Sequence, residues 1–83
     1  MERIVIRDRI ISALSTVYIF VENQNTDIDL EPYIEDSIQF MSLVVALEET
    51  FGIEFPANML LLENFKSVDT IAVIVEELLA IKK

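Results

Sequence analysis

The side chains able to do chemistry in this chain are few, and none has an obvious activating neighbour. Its 83 residues include no histidine and no cysteine. A nucleophilic triad and a His/Cys metal site are therefore excluded, and no acid–base constellation stands out from the surface carboxylates. What remains is a hydroxyl in a particular place. Ser37 follows Asp36 where helical periodicity begins, so it falls in the first turn of a helix. That end of a helix carries unpaired N–H groups and the positive pole of the dipole, which favour an attached phosphate. A serine at such a position more often merely starts the helix. If Ser37 reacts, another enzyme must activate it.

The elements that would position Ser37 can be read from spacing. Ile6, Ile10, Leu14, Val17, Tyr18 and Val21 recur at three and four residues, which predicts a first helix from about Glu2 to Glu22. Between Asn23 and Asp36 the periodicity stops. Asn23, Asn25, Asp27, Asp29 and Pro32 favour turns, with Ile28, Leu30, Tyr33 and Ile34 as apolar anchors. Asp36 then caps a second helix, Ser37 to about Phe51, and Gln39 completes a capping box; Gly52 suits the left-handed residue that stops it. A short third helix is predicted over Ala57–Asn64, after Pro56. Ser67 caps a last helix from Val68 to Ile81, with Asp69 near its positive pole. Its buried stripe is Val68, Ile71, Ala72, Val75, Leu78 and Leu79.

Composition agrees with an all-α single domain spanning residues 1–83. One glycine and two prolines leave little material for hairpins, and without cysteine the 53% hydrophobic content must supply stability through packing. Arg3, Arg7 and Arg9 precede an apolar stretch from Ile10 to Val21, loosely like a signal peptide. Glu2, Asp8, Ser12, Ser15 and Thr16 interrupt that pattern, and the stretch is too short to span a bilayer, so a core helix is the better reading. A cytoplasmic protein is expected. The net charge of −9 opposes nucleic acid and anionic membrane surfaces, and it attracts partners with basic patches. It also offsets a mean hydropathy of +0.47.

At about 3.6 residues per turn, Phe40, Leu43, Val44, Leu47 and Phe51 share the core face of the second helix. Ile38, Met41 and Val45 fall opposite, flanked by Ser42, Glu48 and Glu49. Such a strip is either a partner surface or is covered by a neighbouring loop. The run from Asp36 to Pro56 contains Asp36-Ser37-Ile38, then Leu43-Val44-Val45-Ala46-Leu47-Glu48-Glu49-Thr50-Phe51, then Ile53-Glu54-Phe55-Pro56. Without a gap, it resembles the signature of the acyl carrier protein family, the phosphopantetheine-binding carriers of acyl or peptidyl type. Ser67-Val68 resembles the start of that family's last helix.

The resemblance implies a four-helix carrier bundle with three main helices, a short third one and a long first loop. It implies that Ser37 bears a 4′-phosphopantetheine arm, transferred from coenzyme A by a separate Mg²⁺-dependent phosphopantetheinyl transferase, with Asp36 close to that chemistry. The arm would hold acyl groups as thioesters for fatty-acid, polyketide or related synthesis. Aminoacyl or peptidyl cargo, D-alanyl and nonribosomal-peptide types included, stays open beside it, as does an unmodified helical adaptor. Partners would be adenylating ligases, synthases or transferases with basic docking surfaces, engaging Ile38, Met41, Val45, Glu48 and Glu49. A monomer is expected. Phe40, Leu47, Phe55, Leu61 and Ile71 match positions that could line an acyl pocket, and each is equally well explained as core. Three departures weigh against a housekeeping fatty-acid carrier: Glu35 replaces a common glycine, Gln39 replaces an acidic residue, and Ala57–Glu63 is mostly apolar.

Overall fold

The computed structural model describes residues 2–21 and 28–82. Three α-helices carry the fold: α1 (Arg3–Thr16), α2 (Ser37–Phe51) and α3 (Val68–Lys82). Helix α1 packs against both α2 and α3. The connection between α2 and α3 carries Phe55 and Phe65 into the core beside them. Among the described residues there is no β-strand beyond an isolated bridge between Asp29 and Ser67. None of these helices is long and apolar enough to cross a membrane.

Each helix buries the stripe its spacing predicts, with instructive exceptions. Leu43, Val44, Leu47 and Phe51 of α2 are buried, as are Val68, Ile71, Ala72, Val75 and Leu78 of α3. Phe40 and Leu79 pack half-buried at the edge. In α1 the buried residues are Ile6, Ile10, Ala13 and Leu14. The predicted continuation of α1 toward Glu22 does not occur. The hydroxyls of Ser15 and Thr16 turn back onto the carbonyls of Ser12 and Ala13, a local alternative to continued helix. Tyr18 then adopts a left-handed conformation with φ 65°. The Ile19 N–H closes the turn on the Leu14 carbonyl at 2.9 Å and Ile19 is buried, so the apolar residue that continues the core is Ile19 and Tyr18 is 85% exposed. Glu22, Asn23, Asn25 and Asp27 lie outside the described residues.

The segment leading to α2 is tied down by backbone. Leu30 donates to the Lys66 carbonyl at 2.6 Å and Val68 donates to the Ile28 carbonyl at 3.0 Å, on either side of the Asp29–Ser67 bridge. Leu30 is fully buried there, while Ile28 and Ile34 pack half-buried against the core. A 3₁₀ turn at Glu31–Tyr33, with Pro32 at its start, then delivers the chain to Asp36.

The predicted third helix takes a different form. Two 3₁₀ turns, Ala57–Met59 and Leu62–Phe65, flank an extended Leu61. The Asn64 side chain donates to the Met59 carbonyl at 3.0 Å and so competes for a group that a continuous helix would use. The break lets Phe65 point inward, where it is fully buried.

Helices α1 and α3 are clamped by ion pairs between Arg7 and Asp69, at 3.0 Å, and between Arg3 and Glu76, whose second contact is 3.0 Å. Hydrogen bonding to Arg3 holds the Glu76 carboxyl below its ordinary range, and Glu76 in turn raises Arg3. The folded value of Glu76 is the lower one. Its contribution is therefore complete above the ordinary glutamate range and fades as pH falls through the folded value. Urea titrations across acidic pH should show Glu76→Gln losing this share of the acid-side slope and converging on wild type once the carboxyl protonates. A second expectation concerns Tyr18. Its backbone is unfavourable for any residue with a Cβ, so Tyr18→Gly should raise stability by about 0.5–1 kcal/mol in urea unfolding. A loss of stability would mean that the tyrosine ring contributes more than its exposure indicates.

Candidate functional site

Ser37 is the first residue of α2, and the cap in front of it is supplied by other groups. The Asp36 carboxylate accepts the Gln39 N–H at 2.8 Å. The Gln39 side-chain oxygen accepts the N–H of Glu35, at 2.9 Å. The capping box is thus present but shifted by one residue, since the expected return bond would reach Asp36. This arrangement fixes the first turn while leaving the Ser37 hydroxyl outside it. Ser37 and Asp36 are both exposed. The next hydroxyl along, Ser42, donates to the Ile38 carbonyl at 3.0 Å and is occupied within the helix.

Two apolar concavities meet at Ser37. The larger, about 730 Å³, runs along α2 and is lined by Ser37, Ile38, Met41, Val45 and Glu49 on one side and by Thr16 and Val17 on the other. Ile38 is 78% exposed, Met41 46% and Val45 47%, so the strip read from the sequence is open to solvent. Its far wall is the C-terminal end of α1, which the spacing of α2 could not indicate. The smaller concavity, about 320 Å³, is lined by Ile34, Glu35, Asp36, Ser37, Phe40 and Leu62.

Glu48 sits differently from the other residues expected to meet partners. It is half-buried, and its carboxylate accepts the Phe55 N–H at 2.9 Å. Its carbonyl also accepts the Gly52 and Ile53 N–H groups, closing the left-handed turn at Gly52. Glu48 therefore ties the end of α2 to the chain that returns toward the core. Sequence spacing places it on the rim of the strip but gives no sign of this second tie.

Of the five residues considered for an acyl pocket, Phe40 alone lines the concavity beside Ser37. Leu47, Phe55 and Ile71 are buried in the core. Leu61 is 48% exposed, and its neighbour Leu62 takes the lining position, because the 3₁₀ geometry of this segment rotates it relative to the helix expected there. Ile34 and Leu62 are the lining residues that spacing missed. Ile34 was legible only as an apolar anchor in the preceding loop.

Charge is distributed unevenly around this site. Between Arg9 and Lys66 the chain has no lysine or arginine. The charged residues of α2 and of the sequence on either side of it are thus all carboxylates, including Glu31, Glu35, Asp36, Glu49 and Glu54, while Arg3 and Arg7 are paired with α3.

The described residues form a small helical bundle that presents an exposed serine at the head of a helix. The sequence matches the family described as "Phosphopantetheine attachment site" over residues 9–79. The chain belongs to that family, and its cofactor is a covalently attached 4′-phosphopantetheine. Members are carriers, generally without catalysis of their own, that work with phosphopantetheinyl transferases and with synthases or ligases. No curated protein and no solved structure matches the chain.

The two ties of Glu48 generate a test. Glu48→Ala leaves the Phe55 N–H without its acceptor and should cost roughly 1–2 kcal/mol in urea unfolding, with Glu48→Gln recovering much of the loss. Unchanged stability in Glu48→Ala would show that this bond contributes nothing to the fold.

Proposed function

We propose that Ser37 bears the phosphopantetheine arm and that the protein presents acyl groups, held on it as thioesters, to partner enzymes of fatty-acid, polyketide or a related synthesis. The observation that carries this reading is the position of Ser37: exposed, at the head of α2, outside the cap made by Asp36 and Gln39, and at the junction of two apolar concavities.

Each nearby residue has a definite part. Asp36 and Gln39 hold the first turn so that the Ser37 hydroxyl faces outward. The N–H groups of that turn and the helix dipole favour the phosphodiester once it is formed. The Ser37 oxygen forms the new bond to the phosphorus of coenzyme A that carries the pantetheine. Its proton passes to a base on a separate phosphopantetheinyl transferase, and the nucleotide portion departs. With no cysteine in the chain, the thiol comes from outside. The arm supplies the terminal thiol at which a thioester forms. Tethering then replaces a bimolecular encounter with a local one at high effective concentration.

Ile38, Met41 and Val45, with Glu49 beside them, form the face offered to partners. Glu49 lines this face and the sequence has no lysine or arginine between Arg9 and Lys66, so a basic, partly apolar partner surface complements it. Association should weaken as salt rises.

Incubation with coenzyme A, Mg²⁺ and a broad-specificity transferase should add the mass of one arm to wild type and none to Ser37→Ala. Absence of modification in wild type with several transferases would contradict the proposal. Val45→Asp should slow transfer of cargo to a partner while keeping the helical fold by circular dichroism, Val45 being 47% exposed.

A further inference from the structure

We infer that Phe40 closes the route from Ser37 into the core, and that this carrier consequently holds short cargo at its surface instead of drawing a long chain between its helices. Phe40 lies one turn after Ser37 and takes part in two environments. On one side it lines the concavity of about 320 Å³ beside Ser37, together with Ile34 and Leu62. On the other it meets Phe65 edge-on, with ring centroids 5.2 Å apart. Phe65 is fully buried and meets Phe55 in the same manner at 5.3 Å. The three rings thus form a continuous plug, and Leu47 and Ile71 are fully buried within the same core.

An acyl chain entering the interior from Ser37 would have to part Phe40 from Phe65. It would also need room among Leu47, Phe55 and Ile71, which are buried in the core. Forcing extra volume into a packed interior is costly. The concavity beside Ser37 needs no such rearrangement. Its volume lies at the low end of the range for small-molecule sites, about 300–1,000 Å³. Its apolar wall fits a cargo of a few carbons, acyl or aminoacyl, folded back beside the root of the arm. Glu35 and Asp36 also line it, and Ile34, Phe40 and Leu62 supply its apolar contact surface.

This inference rests on Ser37 bearing the arm, and the two can fail separately. The full chain would be loaded by a broad-specificity transferase from acetyl-, butanoyl- or dodecanoyl-coenzyme A, and each product checked by intact mass. Methyl NMR and the rate of thioester cleavage by hydroxylamine would then be compared. In wild type the dodecanoyl form should shift the methyl resonances of Ile34, Ile38 and Leu62 and leave those of Leu47 and Ile71 where the acetyl form has them. Hydroxylamine should cleave the two thioesters at equal rates. Phe40→Ala should open the route, so that dodecanoyl loading shifts Leu47 and Ile71 and cleavage slows relative to acetyl. Phe40→Leu, which keeps an apolar side chain in place, provides the same comparison with less disturbance of the fold. Shifted Leu47 and Ile71 resonances or protected dodecanoyl thioester in wild type would overturn the inference, whatever the variants do. No mass gain with any donor would overturn the reading of Ser37 itself, and this inference with it.

Discussion

The site depends on Phe65. It is carried by a 3₁₀ turn, fully buried, and touched edge-on by Phe40 from the start of α2 and by Phe55 from the segment after its end. Aromatic pairs of this geometry contribute about 0.5–1.5 kcal/mol beyond the area they bury. In an 83-residue chain without cysteine, whose net stability rests on one packed core, such a contact is a substantial share of the whole. It also sets direction. With Phe40 drawn toward Phe65, the opposite side of the first turn, where Ile38 and Met41 lie, is left to solvent.

Around that contact, backbone hydrogen bonds fix where α2 begins. The segment before Ser37 is held to the start of α3 by the bonds of Leu30 and Val68, and Leu30 is buried beneath them. A residue at the head of a helix is displayed consistently only if the chain entering it is held. Here the entering chain is pinned through Leu30 and then shaped by the turn at Pro32. Glu48 performs the matching task at the other end of α2, through its carboxylate and its carbonyl together. The exposed strip between these two ends can therefore meet a partner without reorganising its own helix.

Much of this was legible in the sequence, for identifiable reasons. The caps at Asp36, Gly52 and Ser67 rest on short-range chemistry, and each closes as its residue type predicts, Ser67 by accepting the Thr70 N–H at 3.1 Å. The stripes of α2 and α3 follow from helical period alone. What spacing could not give was decided by competition between local and distant groups. Val17, Tyr18 and Val21 continue the period of α1, yet Ser15 and Thr16 terminate it and Ile19 takes the buried place. The apolar run Met59–Leu62 has no period of its own. Asn64 and the demand that Phe65 reach the core resolve it into two 3₁₀ turns, which is why Leu62 and not Leu61 faces Ser37. In the site, the place of Ser37 at the head of α2 and the residues of the strip followed from cap and period, whereas the strip's exposure required the packed structure. The second wall of the groove, Thr16 and Val17, required the tertiary packing of α1 on α2.

The most direct measurement is the site of the modification in protein recovered from its own cells. The chain has no lysine or arginine between Arg9 and Lys66, so cleavage after glutamate is the suitable digestion; it releases residues 36–48, which contain both Ser37 and Ser42. Fragmentation of that peptide should place the phosphopantetheine on Ser37, with Ser42 unmodified. An arm on Ser42 or on a serine outside this peptide, or a uniformly bare Ser37, would contradict the account.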